Sequence, residues 1–149
     1  MIVLKIENVK EFMQHLFQTD MFDKFCVGRC EVTTFVNFTT DCRKNPDWYD
    51  SDEKQGETGI LVRWLELKPV IFSLIKGRKT PSRLAVDLCY YMPDGDMGSL
   101  RIQFENGSLM VYTGYMQNEF TLDRGKQQNW DENCINFLKK NEIVSTLLE

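Results

Sequence analysis

The amino-acid sequence predicts an α+β fold with two similar lobes, each a short helix packed on antiparallel strands (β-α-β-β-β), followed by a C-terminal helix. Three observations predict this class. Apolar residues follow strand spacing in some stretches and helix spacing in others, and the two kinds of stretch alternate along the chain. Asn106-Gly107 marks a hairpin, and the chain matches itself at a fixed offset. The length of 149 residues predicts one domain over 1–149. Its expected parts are a first lobe over about 1–45, an acidic loop over 46–59 and a second lobe over about 60–149.

The first lobe is predicted to begin with a strand at 2–6 and a helix after it. Asn8 is a favourable N-cap, and Glu11 three residues later completes a capping-box pattern. The next residues carry apolar side chains at helical spacing, which predicts one buried stripe: Val9, Phe12, Met13, Leu16 and Phe17. Residues 25–40 are rich in Val, Thr and Phe, which favours strands.

The second lobe is predicted to repeat this order. Residues 60–67 have the composition of a strand, and Pro69 suits the first turn of a helix that ends at Gly77. A further strand is expected over 84–91.

A type I′ hairpin is predicted around Asn106-Gly107. Counting outward from that turn pairs Phe104 with Leu109 and Ile102 with Val111 on one face of the hairpin.

After the hairpin we expect a short strand over 119–122 and a last helix beginning at Trp130-Asp131, with Asp131 as its cap.

An internal repeat is the most informative pattern. A shift of 58 positions lays residues 2–19 over 60–77 without a gap, so that the apolar strand and helix positions coincide. Any two amphipathic strand–helix units give similar matches, so chance and duplication both remain open.

The duplicated lobe resembles the domain of the DNA sliding clamp, the processivity-factor fold, in topology and repeat length. In that fold both helices line the DNA channel. The resemblance implies contact with nucleic acid and self-association through sheet edges, for which strands around 110–115 are candidates.

Two further stretches, Val32-Thr33-Thr34-Phe35 and Leu65-Glu66-Leu67-Lys68-Pro69, resemble an uncharacterised family of small bacterial proteins of unknown function. That resemblance implies no activity and no catalytic residue.

One basic set is a candidate for phosphate contacts, because clustered cations release counterions from nucleic acid: Lys68, Lys76, Arg78, Lys79 and Arg83. The alternative is a helix C-terminus followed by a solvated turn, where cations also suit the helix dipole.

Trp48 and Tyr49 are candidates for a partner-binding patch. They lie at the start of an acidic stretch over 47–57, where exposed aromatic side chains are unusual. The stretch is either a solvated linker or a surface for a basic partner.

The cysteines and two aspartates offer other chemistries. Strand spacing places Cys26 and Cys30 on one face, where buried structural thiols are favoured over zinc ligands. His15, the single histidine, is expected at the surface. Asp94 and Asp96 form either a turn or a small acidic metal pair. We predict no catalytic residue, no metal and no cofactor.

Composition limits the function classes. A net charge of −4 and a pI near 5.1 argue against general affinity for nucleic acid but not against a local basic patch. The sequence has no apolar run long enough to span a membrane and no export pattern, which predicts a cytoplasmic protein with reduced cysteines.

These observations predict a non-enzymatic binding or assembly module, clamp-like and associated with nucleic acid. The alternatives are a protein-interaction adaptor that uses the 47–57 loop, and a small enzyme with a site between the lobes.

Overall fold

The computed structural model of the chain describes residues 1–50, 59–75, 77 and 79–148. Its strands are β1 (Val3–Ile6), β2 (Cys26–Thr33), β3 (Asn37–Thr40), β4 (Arg83–Tyr91), β5 (Met97–Glu105), β6 (Ser108–Met116) and β7 (Ser145–Leu147). Its α-helices are α1 (Val9–Gln18), α2 (Trp64–Ile75) and α3 (Gly125–Lys140). A 3₁₀ turn spans Pro46–Trp48. The predicted α+β class with a C-terminal helix is confirmed.

The described strands form one antiparallel sheet in the order β3-β2-β4-β5-β6-β1-β7. A helix followed by paired strands occurs twice, as α1-β2-β3 and as α2-β4-β5-β6. Strands β2 and β4 join these two parts within the same sheet. The edge strands are β3 and β7, so the prediction of an edge at 110–115 is wrong: those residues lie in β6, which pairs with both β5 and β1.

The start of α1 follows the predicted capping chemistry. The Asn8 side chain accepts a hydrogen bond from the backbone N–H of Glu11 at 3.0 Å, which satisfies one free donor of the first turn. The predicted apolar stripe is the buried face of this helix, with Phe12, Leu16 and Phe17 in the core.

The β5–β6 hairpin has the predicted register. Phe104 lies opposite Leu109, and Ile102 lies opposite Val111. The turn residues Asn106 and Gly107 both have positive φ angles, as a type I′ turn requires.

Helix α2 begins earlier than the sequence pattern indicates. Leu61 and Arg63 form isolated bridges, and the helix starts at Trp64, so residues 64–67 are helical and Pro69 lies inside the helix. The physical reason is Trp64, whose fully buried indole donates a hydrogen bond to the Leu16 carbonyl at 2.8 Å. This anchor holds the first turn of α2 against α1.

Helix α3 also begins earlier than predicted, at Gly125 rather than Trp130. The sequence pattern missed this start because residues 125–129 are mostly polar and carry no apolar periodicity. Asp131 therefore does not cap the helix. It accepts a hydrogen bond from the Thr113 hydroxyl at 2.6 Å. The described residues 119–122 form no strand.

The core lies between one face of the sheet and the helix layer. Alternate residues of the central strands point into it, among them Leu84, Val86, Leu100 and Ile102, which are at most 1% exposed. Rings from the loop after α1 and from α3 pack together above them: Phe22, Phe25 and Phe137. Each fully buried side chain of this size stabilises the fold by about 1.5–3 kcal/mol. The opposite face of the sheet is polar.

Candidate interaction surface

The solvent-facing side of α2 carries several large apolar side chains. Leu65 is 56% exposed, Val70 is 55% exposed and Phe72 is 39% exposed. Pro69 between them is also exposed. The inner face of the same helix carries Trp64 and Ile71. The exposed side also carries the polar residues Glu66 and Ser73, so apolar and polar side chains share it.

Helix α1 shows the ordinary pattern for comparison. Its inner positions are apolar, and its exposed positions are polar: Lys10, Gln14 and Gln18. Several large apolar side chains exposed on one short helix are typical of a binding surface. The outer face of α2 is therefore the strongest candidate for contact with another molecule.

The predicted partner-binding residues lie beside this helix. The hydroxyl of Tyr49 donates a hydrogen bond to Oε1 of Glu66 in α2 at 2.6 Å. The 3₁₀ turn before it is capped by Asn45, whose side chain accepts from the N–H of Asp47. Trp48, in this turn, is 81% exposed. We define the α2 patch as Trp48, Leu65, Pro69, Val70 and Phe72.

Acidic side chains surround part of the α2 patch. Asp47, Asp50 and Glu66 are exposed, and Arg63 is an exposed cation at the start of the helix. The remaining acids of the predicted acidic loop lie in the segment 51–58, which is outside the described residues.

The described members of the predicted phosphate-binding set, Lys68, Lys79 and Arg83, do not share one surface. Lys68 is largely buried, and its ammonium group lies 2.7 Å from Asp23 Oδ1 and 3.0 Å from the Thr19 carbonyl. Lys79 is exposed. Lys76 and Arg78 lie outside the described residues.

Arg83 lies on the polar face of the sheet, away from the helices. Its side chain donates a hydrogen bond to Glu31, which also accepts one from Arg29. The hydrogen bond from Arg83 lowers the pKa of Glu31 below its ordinary value. Arg101 pairs with Asp87 on the same face at 2.8 Å. These cations are neutralised within the chain, so phosphate binding by Arg83 would compete with Glu31.

The two nearby cysteines of β2 are on opposite faces, not on one face as strand spacing predicts. A β-bulge between Val27 and Arg29 inserts one residue, so Cys26 lies opposite Cys89 and Cys30 lies opposite Val86. His15 is half-buried.

The thiol groups of the buried cysteines have raised pKa values. Burial raises the pKa to about 12 for Cys30 and Cys134, and to about 11 for Cys42 and Cys89. These thiols are protonated at neutral pH, which makes them poor nucleophiles.

Asp94 and Asp96 are bridged by a cation of the chain itself. The ammonium group of Lys126 lies 2.8 Å from Asp94 Oδ2 and 3.4 Å from Asp96 Oδ2. Asp96, 2% exposed, also accepts hydrogen bonds from the Tyr115 hydroxyl at 2.6 Å and the Asn118 N–H at 2.8 Å. These bonds lower the pKa of Asp96, and burial together with the bond to Asp96 raises the pKa of Tyr115 to about 12. The arrangement ties the β4–β5 turn to the end of β6 and to α3.

Metal ligation finds little support in the part of the chain that the structure describes. No group of three or more His, Cys, Asp or Glu side chains there is arranged to hold a metal ion. The α2 patch therefore remains the candidate site with the clearest physical basis.

The fold and this surface define a two-layer α+β protein with a helix layer on one face of an antiparallel sheet and an apolar helix at the surface. Within that class, the chain belongs to a family of unknown function (DUF5721), whose model matches residues 15–96 and 94–145. The chain matches no curated protein and no solved structure. Among the described residues, no helix is long and apolar enough to cross a membrane.

Proposed function

We propose that this protein is a non-enzymatic interaction module that binds a basic amphipathic segment of another protein on the α2 patch. The observation that carries the proposal is the set of exposed apolar side chains on α2. Leu65 and Val70 are more than half exposed at positions where a surface helix normally has polar residues.

The energetics favour docking at this position. Burying a fully exposed large apolar side chain is worth about 1.5–3 kcal/mol. Leu65, Val70 and Phe72 are about half exposed or less, so covering each of them contributes a part of this amount. Trp48 adds an exposed indole, which is the residue type most enriched at binding hot spots.

Charge selects the class of partner. Exposed Asp47, Asp50 and Glu66 lie around the α2 patch, and the chain as a whole has a net charge of −4. Complementary charge accelerates association and excludes partners of the same sign. A helix whose apolar stripe is flanked by lysines fits both, because the stripe covers the apolar side chains and the flanking lysines lie beside the acidic ones.

The test is a fluorescence anisotropy titration with two labelled helical peptides of identical leucine spacing, one carrying lysine and the other glutamate at the remaining positions. We expect the basic peptide to bind and the acidic peptide to bind at least about tenfold more weakly. The double variant Leu65→Ser with Val70→Ser should lose binding of the basic peptide, because it removes the apolar centre.

The matched control is Leu122→Ser, which removes an 86% exposed leucine from the segment before α3. This control should bind as the wild type does. Equal binding by the patch variant and the wild type, with both folded by circular dichroism, would overturn the proposal.

The nucleic-acid interpretation and the cytoplasmic location remain predictions from the sequence. Lys79, as an exposed member of the basic set, is available for phosphate contacts. Lys68 and Arg83 are engaged in ion pairs.

A further inference from the structure

A large apolar groove lies between α1 and the C-terminal end of α2, away from the α2 patch. Its volume is about 770 Å³, within the range of small-molecule sites. Leu84 and Phe104 of the sheet form its floor, and Val9, Met13 and Ile75 of the two helices form its walls.

The groove follows from the way the two helices pack. Their ring contacts involve Phe17, at the C-terminal end of α1, which packs on Trp64 and on Phe72. Trp64 also donates its indole hydrogen bond at that end of α1. Val9 and Met13, nearer the N-terminus of α1, face the groove rather than a helix packed close against them. The groove is thus a wedge between helices held together at one end.

The groove also has polar lining residues, which are Lys10, Thr80, Ser82 and Asn106. Lys10 is exposed and takes part in none of the ion pairs between described residues. Lys79 is an exposed cation directly before Thr80. No carboxylate is among the residues that line the groove in the described part of the chain.

The geometry points to a binding site for a free long-chain carboxylate, such as a fatty acid. Its hydrocarbon chain lies between Val9, Met13 and Ile75 above the sheet, and its carboxylate lies at the rim beside Lys10. The apolar lining supplies the contact for the chain. The exposed ammonium group of Lys10 complements the negative head and can donate a charge-assisted hydrogen bond to it.

The test uses the increase in fluorescence of dansyl-labelled undecanoic acid on binding, followed by displacement with palmitate and with hexadecanol, which has the same chain length and no charge. We expect saturable binding at one site and displacement by palmitate at about a tenfold lower concentration than by hexadecanol. In Lys10→Met, palmitate should displace the probe only at the concentration that hexadecanol requires. Lys139→Met, at an exposed lysine of α3, should change the displacing concentration of neither competitor.

Met13→Trp fills the wedge and should weaken the binding of both palmitate and hexadecanol. If circular dichroism shows that this variant does not fold, Ile75→Trp fills the wedge from the other helix instead. The inference is overturned by the lack of saturable binding, by unchanged binding in a folded Trp variant, or by equal displacement with hexadecanol and palmitate. The double variant Leu65→Ser with Val70→Ser should bind palmitate as the wild type does. A failure of this site is therefore distinguishable from a failure of the α2 patch.

Discussion

The hydroxyl of Tyr49 donates a hydrogen bond to Oε1 of Glu66 over 2.6 Å, and this bond connects the turn carrying Trp48 to α2. The two residues are 17 positions apart in the chain, so the contact fixes one side of the α2 patch.

Tyr49→Phe removes this hydrogen bond and keeps the ring. We expect the basic peptide to bind about three- to tenfold more weakly, because Trp48 is no longer held beside α2, while the free energy of unfolding falls by about 1 kcal/mol or less. Anisotropy titration and urea denaturation measure the two effects. Tyr112→Phe, on the opposite face of the sheet, is the control. An unchanged affinity for the peptide in Tyr49→Phe would show that the position of Trp48 does not contribute to binding.

Lys68→Met tests whether this lysine is structural. We expect a loss of about 1–3 kcal/mol in the free energy of unfolding, because the largely buried carboxylate of Asp23 loses its partner at 2.7 Å. Urea denaturation measures this loss, and Lys79→Met, at an exposed position, should leave stability within about 0.5 kcal/mol of the wild type.

Lys79→Met also tests the nucleic-acid prediction, in a low-salt titration with duplex DNA. If the basic set contacts phosphates, Lys79→Met should weaken binding and reduce its salt dependence. Equal DNA binding, or none, in the wild type and in Lys79→Met would remove the support for that prediction.

The capping site of α1 and the β5–β6 hairpin were predictable because they depend on local chemistry. Asn8 bonds to an N–H three residues later, and Asn106-Gly107 sets the register of its own strands. The start of α2 was not predictable in this way, since a tertiary contact from Trp64 to Leu16 overrides the helix-start signal of Pro69.

The candidate site was only partly predictable. Trp48 and Tyr49 were noticeable because aromatic residues are unusual in an acidic stretch. The apolar side chains of α2 look like core residues in the sequence, and only the position of the sheet shows that Leu65 and Val70 point away from it. The available signal in the sequence was that the two sides of α2 differ little in hydrophobicity. Likewise, the bulge that separates Cys26 from Cys30 has no mark in the strand pattern.

Gly98→Ala tests the packing of α3 on the sheet. A Cβ atom at Gly98 would lie 2.5 Å from Cε2 of Trp130, whose Nε1 donates to the Ser99 carbonyl at 3.0 Å. We expect the displaced ring to lower the free energy of unfolding by about 1–3 kcal/mol, measured by urea denaturation with tryptophan fluorescence. Ser99→Ala does not displace the Trp130 ring and should lower the free energy of unfolding much less. Equal stability of the two variants would contradict this account of the packing.

Asp96→Asn tests the carboxylate that joins the β4–β5 turn to β6. The hydrogen bonds to Asp96 lower its folded-state pKa, so its stabilisation is present above the ordinary pKa of 3.8 and is lost as the pH falls through the lowered value. We expect Asp96→Asn to have a lower urea midpoint than the wild type near neutral pH and a smaller drop on acidification to about pH 3.

Glu132→Gln, at an exposed carboxylate of α3, should keep the acid dependence of the wild type. A drop in Asp96→Asn as large as that of the wild type would show that other carboxylates control the acid transition.

Hydrogen–deuterium exchange with and without the basic amphipathic peptide tests the central claim most directly, because it locates the bound surface along the chain. The account predicts slower exchange over 64–75 on saturation with the peptide, and unchanged exchange over 125–140 in α3. Saturating binding with no change over 64–75, or with protection confined to 125–140, would contradict it.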